Sequence, residues 1–462
     1  MHWRKRSSEE FSRRSFLSAG AAAAAASALA DPGAAAAQVV GVKKADLANL
    51  TIKQVKTYEL DMTGIHRLNS TEGEMVGIVT ESGIEGNYVL GNRSKTEGWL
   101  DWAKVTLVGR NVVDLLPQIT ATSGMRAAAG YGARLRRAPP TGVPRDSFAV
   151  KPPAPMRPPP NAFIGGGFGI LNRSGGNWPN YHAAAAEICL WDILGKSVDR
   201  PIYKLLGGTK DRLMGYASSQ HLPTVEDYVP DVLQAKAEGY KCYKIHPGAG
   251  QHANSSPIPS YIGHMEEIRE VRKAVGDEFV LAHDPVQAYN RYEALKVGRL
   301  LDELDYAWFE DPIRTTDFEG LIELARTLDL PLHVGEFLAS ISDFAEYISK
   351  GALDVARLIA DNVGGISGSM RVGLLADAFG LECTPHNWGN VIDLAVHFHL
   401  ELALPNAYWF EVPFPASYAD RPYHQDKVRI DKDGYIMAPT KPGLGYPIDR
   451  DALDKMTKRV SV

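Results

Sequence analysis

Apolar, β-branched runs that end abruptly in a carboxylate or an imidazole recur through the second half of this chain at a nearly constant interval. Asp284 closes FVLAHD, Glu310 closes YAWFE and Glu336 closes LPLHVGE, at steps of 26 residues; Asp361, His386 and Glu411 follow at steps of 25. Such a step holds one strand and one helix. The intervening stretches, among them HMEEIREVRKAVG, RYEALKVGRLLDEL and FEGLIELARTL, carry helical periodicity. Strands alternating with helices make a parallel sheet, and units repeated in series close it into a barrel. Residues just past the C-terminal end of each barrel strand then converge on one mouth. The expected fold is α/β, a TIM-like barrel whose mouth holds these ionisable groups.

The rest of the chain is organised around that repeat. TIKQVKTYEL and EMVGIVTESGIEGNYVL alternate as strands do, and TEGWLDWAKVTLVGRNVVDLLPQI has helical periodicity, which together make a small α+β unit. Residues 121–169 turn to Gly, Pro and Arg, too poor in periodic apolar positions for a core, and read as a long loop or lid. Ahead of everything lies Ser12-Arg13-Arg14-Ser15-Phe16-Leu17, then an alanine-rich run with small-residue cut sites at Ala28-Leu29-Ala30 and Ala35-Ala36-Ala37. This resembles a twin-arginine export signal, so residues 1–37 are set apart and a periplasmic or secreted location is expected. The expected divisions are 38–170 for the N-terminal α+β region, 171–411 for the barrel and 412–462 for a C-terminal segment.

Composition excludes several classes. The net charge is −5, and no Lys/Arg-rich run follows the N-terminus, so nothing marks a nucleic-acid or polybasic membrane surface. No later apolar stretch reaches a membrane span. Three scattered cysteines, Cys189, Cys242 and Cys383, are expected as buried apolar residues, since an odd and sparse set makes no disulfide framework.

Three acids from consecutive strands repel one another unless a counter-charge intervenes. Asp284, Glu310 and Glu336 are therefore candidate ligands of a hard divalent cation, Mg²⁺ first and Mn²⁺ second, because zinc prefers His or Cys. Lys244 and His246, at i and i+2, share one face of the preceding strand. A lysine beside a metal in a desolvated mouth is expected to titrate nearer neutrality and to serve as a base. His386 is a candidate acid or base on the other side, with Asp361 as the group that holds its tautomer.

With these motifs in view, the chain from about Thr51 onward resembles the enolase superfamily, in particular the mandelate racemase and muconate-lactonizing group. AAEICLWDILGKSVDRPIYKLLGG resembles that group's first barrel helix, and DGYIMAPTKPGLGYPIDRDAL its C-terminal segment. Its Lys-x-Lys motif is matched by Lys244-Ile245-His246, its metal ligands by Asp284, Glu310 and Glu336, its dyad histidine by His386 in TPHNW and its late glutamate by Glu411 in WFEVP. Three positions depart from the pattern: His246 replaces the second lysine, Val286 stands where asparagine is usual, and Ile359 stands where the dyad aspartate is usual, with Asp361 two residues on.

The resemblance implies a modified (β/α)7β barrel with an α+β capping domain built from both ends of the chain, in an assembly of identical subunits. It implies Mg²⁺-assisted removal of the proton α to a carboxylate through an enediolate, with Glu411 hydrogen-bonded to the developing oxygen. Dehydration of a sugar acid is the expected outcome. The alternatives are a racemase, epimerase or cycloisomerase on a related carboxylate, and an exported binding protein that has kept the site without the chemistry.

Overall fold

The computed structural model describes residues 49–65, 73–89, 98–122, 181–248 and 260–462. The expected leader and residues 123–169 of the Pro/Gly-rich stretch lie outside them. Eight parallel strands form the main sheet: β4 (Arg212–Ser218), β5 (Cys242–Ile245), β6 (Val280–His283), β7 (Trp308–Glu310), β8 (Leu332–Val334), β9 (Val355–Ala356), β10 (Glu382–Cys383) and β11 (Trp409–Pro413). They pair in the order β10-β9-β8-β7-β6-β5-β4-β11. The helical connections named below are α5 (Val225–Glu238), α6 (Ser260–Val275), α7 (Arg291–Glu303), α8 (Phe318–Thr327), α9 (Ile341–Lys350), α10 (Ala360–Val363), α11 (Gly365–Ala378) and α12 (Val391–Ala403). Several start on a side-chain cap immediately after a strand-end loop. Asn290 accepts the Glu293 N–H, Asp317 the Gly320 N–H, Ser340 the Asp343 N–H and Asn390 the Ile392 N–H.

The sheet curls strongly. β7 and β11 are four steps apart in the order, about 19 Å in a flat sheet. Nevertheless Glu310 on β7 and Glu411 on β11 both bind the guanidinium of Arg357. The expected closed barrel is therefore seen as a curled sheet with one seam, between β10 and β11, where the described ladders stop. The Cys383 N–H donates to Asn406 O across that seam at 3.0 Å. With only two residues in β10, the ladder is too short to extend further.

A second layer consists of an antiparallel sheet in the order β13-β1-β2-β3, from β1 (Ile52–Leu60), β2 (Glu74–Thr80), β3 (Glu85–Val89) and the C-terminal β13 (Thr457–Ser461). The C-terminal segment thus serves both layers, because β12 (Tyr435–Met437) first pairs with β4. Helices α1 (Trp99–Leu107), α2 (Val112–Thr122) and α3 (Tyr181–Ser197) share the second layer's core. Helix α3 falls within the residues expected for the barrel, 171–411. Its buried run Ala183–Ile193 packs mainly on β3 and α2, because a helix apolar on nearly all sides needs cover all round. The short helix α4 (Ile202–Leu205) follows it. Cys189, Cys242 and Cys383 are buried and free.

Candidate active site

Strand alternation builds the site in two tiers. Tyr216, Cys242, Ala282 and Trp308 form an interior cluster with Trp409 packed against it. Two residues further along each strand, on the same face, stand Ser218, Lys244, Asp284, Glu310 and Glu411. An aromatic floor therefore carries a charged layer.

Lys244, fully buried, is the hub of that layer. Its Nζ lies 2.8 Å from Glu411 Oε1, 2.9 Å from Glu310 Oε2 and 3.0 Å from Asp284 Oδ2. Arg357, also fully buried, joins Glu310 to Glu411 through Nε and Nη2, and its Nη1 donates to the carbonyls of Thr384 at 3.2 Å and Pro385 at 3.1 Å. Glu411 further accepts the Ser218 hydroxyl at 2.7 Å and the Asn387 N–H at 2.8 Å.

The charges of two members follow from these contacts. Burial and Arg357 act to lower the Lys244 pKa, but Glu310, Glu411 and Asp284 prevail and hold it well above the ordinary lysine range. Held by these three acids, Lys244 is the cation of the layer. Burial would raise the Glu411 carboxyl, yet Arg357 and Lys244 hold it well below the usual range, so it is an acceptor whose oxygens are already engaged.

His246 stands beside Lys244 on the same strand face. Its Nδ1 meets Ser219 O at 2.6 Å, which places a proton on Nδ1 and turns Nε2 to Asp284 Oδ2 at 3.0 Å. The ring is held between Trp388, edge-on at 4.9 Å, and His221 at 5.3 Å. Its backbone is held as well: the N–H donates to Ser219 Oγ, and the carbonyl accepts the Tyr228 hydroxyl.

Glu336 stands on the other side, where its Oε2 meets His386 Nε2 at 3.0 Å. Asp361, expected beside His386, accepts the Tyr88 hydroxyl at 2.8 Å. After Asp284 the chain turns sharply, with Val286 at φ 51° and Gln287 at φ 63°, and the Val286 N–H donates to Asp284 Oδ1 at 3.0 Å. A β-branched residue in that region carries strain, which the fold tolerates where it aims a functional group.

Of the expected metal ligands, Asp284 and Glu310 meet on Lys244 while Glu336 faces His386. Among the described residues no three His, Cys, Asp or Glu side chains are grouped as ligands of a single ion. The donor chemistry nevertheless suits a hard cation. Asp311, next to Glu310, is fully buried, and neither of its oxygens has a hydrogen-bond partner among the described residues. Burial, then Glu336, Glu310 and Asp284, raise its pKa well above the usual range. Asp284, Glu310 and Glu411 pair with Lys244 or Arg357, while Glu336 meets His386 and the Asp311 carboxyl stands beside them. An all-oxygen set with surplus negative charge fits Mg²⁺ or Mn²⁺ better than a softer metal.

Arg357 and Asp311 were not singled out from the sequence. An arginine inside DVARLIADN, two residues before Ile359 on the same strand face, was the available signal for the first.

Residues 227–452 match the family model described as enolase C-terminal domain-like. Arabinonate dehydratase from Saccharolobus solfataricus is 30% identical over 269 residues, which cover 57% of this chain and 69% of that protein. This chain belongs to the enolase superfamily. A second relative in this superfamily, L-talarate/galactarate dehydratase from Salmonella typhimurium, is 29% identical over 269 residues, 58% of this chain and 63% of that protein. The matched stretches therefore span about two thirds of each relative. Among solved structures, D-glucarate dehydratase from Agrobacterium tumefaciens complexed with magnesium superposes with a TM-score of 0.68 at 24% identity, covering 89% of this chain and all of that one. That likeness supports the enolase-superfamily fold.

Proposed function

We propose that this enolase-superfamily enzyme dehydrates a sugar acid by removing the proton α to its carboxylate and expelling the β-hydroxyl as water. The observation that carries the reading is a fixed ammonium, Lys244, set among buried acids, with His246 Nε2 on one side and His386 Nε2 on the other. Dehydratases of sugar acids among its relatives support the substrate class.

Asp284, Glu310 and Glu336 would hold Mg²⁺, with Mn²⁺ as the second candidate, and the bound ion would supply the positive charge that acidifies the α-proton. Lys244 pairs with the substrate carboxylate. With Nδ1 committed to Ser219 O, Nε2 is the ring atom that takes the α-proton, and it is free to do so when Asp284, now 3.0 Å from it, is engaged by the cation instead. The electron pair of the broken C–H bond expels the β-hydroxyl, to which His386 gives a proton. The resulting enol tautomerises to a 2-keto-3-deoxy acid. Trp388 and His221 keep the His246 ring from swinging away. Glu411 and Arg357 fix Lys244 and Glu310 from behind.

A panel of acid sugars with Mg²⁺ in D₂O, read for keto-acid and for deuterium at the α-carbon, tests the reading. Keto-acid formation is expected. His386→Asn should retain α-deuterium exchange while losing water elimination, and His246→Asn should lose both. Exchange without water loss in the wild type would identify a racemase or epimerase, and binding without exchange would identify a degenerate site. Export by the twin-arginine route belongs to the same proposal; among the described residues no helix is long and apolar enough to cross a membrane. Changing Arg13 and Arg14 to lysine should retain the protein in the cytoplasm.

A further inference from the structure

Tyr88 lies at the end of β3, in the N-terminal layer, yet its hydroxyl reaches the main sheet's connections. It is fully buried, and it bonds Asp361 Oδ1 at 2.8 Å and Asp393 Oδ1 at 3.0 Å. Asp361 belongs to α10, a four-residue helix between β9 and α11, and Asp393 to the first turn of α12. Helix α10 is held at two further points. The Ala360 N–H donates to His397 Nε2 at 3.1 Å, and the Asn362 side chain donates to Glu336 O at 2.7 Å. Glu336 in turn meets His386 at 3.0 Å. An unbroken line of contacts therefore runs from Tyr88 through Asp361 and Asn362 to Glu336 and His386.

We propose that Tyr88 is a positioning residue: through its hydroxyl the N-terminal layer holds α10, and through α10 it sets Glu336 and His386. The inference rests on the reading above only where it concerns turnover. A helix of one turn has too little internal hydrogen bonding to hold its own place, so outside contacts fix it. Burial, then Asp361 and Asp393, raise the Tyr88 pKa well above its ordinary value, so the hydroxyl keeps its hydrogen and remains a donor. That single hydrogen serves two carboxylates, which ties α10 and α12 to one point.

The test compares Tyr88→Phe with Tyr58→Phe. Tyr58 lies in the same layer, and its hydroxyl donates to Glu85 at 2.8 Å, away from α10. Both changes keep the ring and delete one hydroxyl. Amide hydrogen exchange of residues 360–363 is expected to quicken by about tenfold or more in Tyr88→Phe and to stay at the wild-type rate in Tyr58→Phe. On the best acid sugar, Tyr88→Phe should lower kcat by about tenfold or more with little change in KM, because small misplacements at a catalytic group cost rate rather than affinity. Unchanged exchange at 360–363 would overturn the clamp. Faster exchange with an unchanged kcat would overturn the positioning role. If the wild type turns over no acid sugar, the dehydratase reading falls while exchange still decides the clamp.

Discussion

At the level of single residues, the site is a balance of buried charges that no member can leave without cost. Arg357 is enclosed by Glu310, Glu411 and two carbonyls. Arg357→Met leaves two fully buried carboxylates short of a partner and should lower unfolding free energy by about 3–5 kcal/mol, measured by urea denaturation. Arg357→Lys keeps the charge but loses the fork, and should recover part of the stability and little of the turnover. Most of the inward acids and bases were legible from spacing, because each stands at a strand end and strand faces repeat every two residues. Arg357 was not, because its meaning lies in two acids four strands apart. The ion pairs of Lys244 were not legible either: the sequence shows that acids are near in number, but only the fold shows three of them within 3.0 Å of one ammonium.

Among the helices and strands, ends matter more than middles. Lys210 Nζ donates to the carbonyls of Glu401 at 3.0 Å and of Leu404 and Ala407 at 2.5 Å, at the C-terminal end of α12. Lys210→Ala should therefore cost about 1–2 kcal/mol in the same denaturation assay, from the lost charged donor to helix-end carbonyls. The opposite end of α11 is as exacting. Gly365 has φ +85°, and a Cβ there would stand 2.2 Å from Glu187 Oε2, which accepts the Ile366 N–H at 2.8 Å. Gly365→Ala should cost about 1–3 kcal/mol and lower the thermal midpoint, from backbone strain and the displaced acceptor together. Helical periodicity located these helices well. It could not assign α3 to its layer, because a helix apolar all round does not reveal which neighbour covers which side.

For the whole molecule, burial keeps many histidines neutral. It lowers His264 and His399 to about 4 and, with Arg421 nearby, His424 to about 3. In the unfolded chain these groups titrate near 6.5, so their contribution to stability is complete above that pH and is lost as pH falls toward the folded values. Each forfeits about 1.4 kcal/mol per pH unit once below 6.5. The share of stability these histidines carry should therefore shrink between pH 7 and pH 5, against the opposite trend of buried acids such as Glu187 and Glu310, whose carboxyls burial raises to about 7. His264→Gln should flatten that slope by about one proton.

The sequence by itself determined the repeat, the parallel α/β class and the strand ends that carry chemistry, because strand and helix periods are local properties of the chain. Tertiary structure alone decided which charges meet. Tyr88 finds Asp361 across 273 residues, and Arg357 finds Glu411 across 54 and over an open seam. Such pairings depend on how a twisted sheet curls and on which groups lose water together, and no local pattern encodes either.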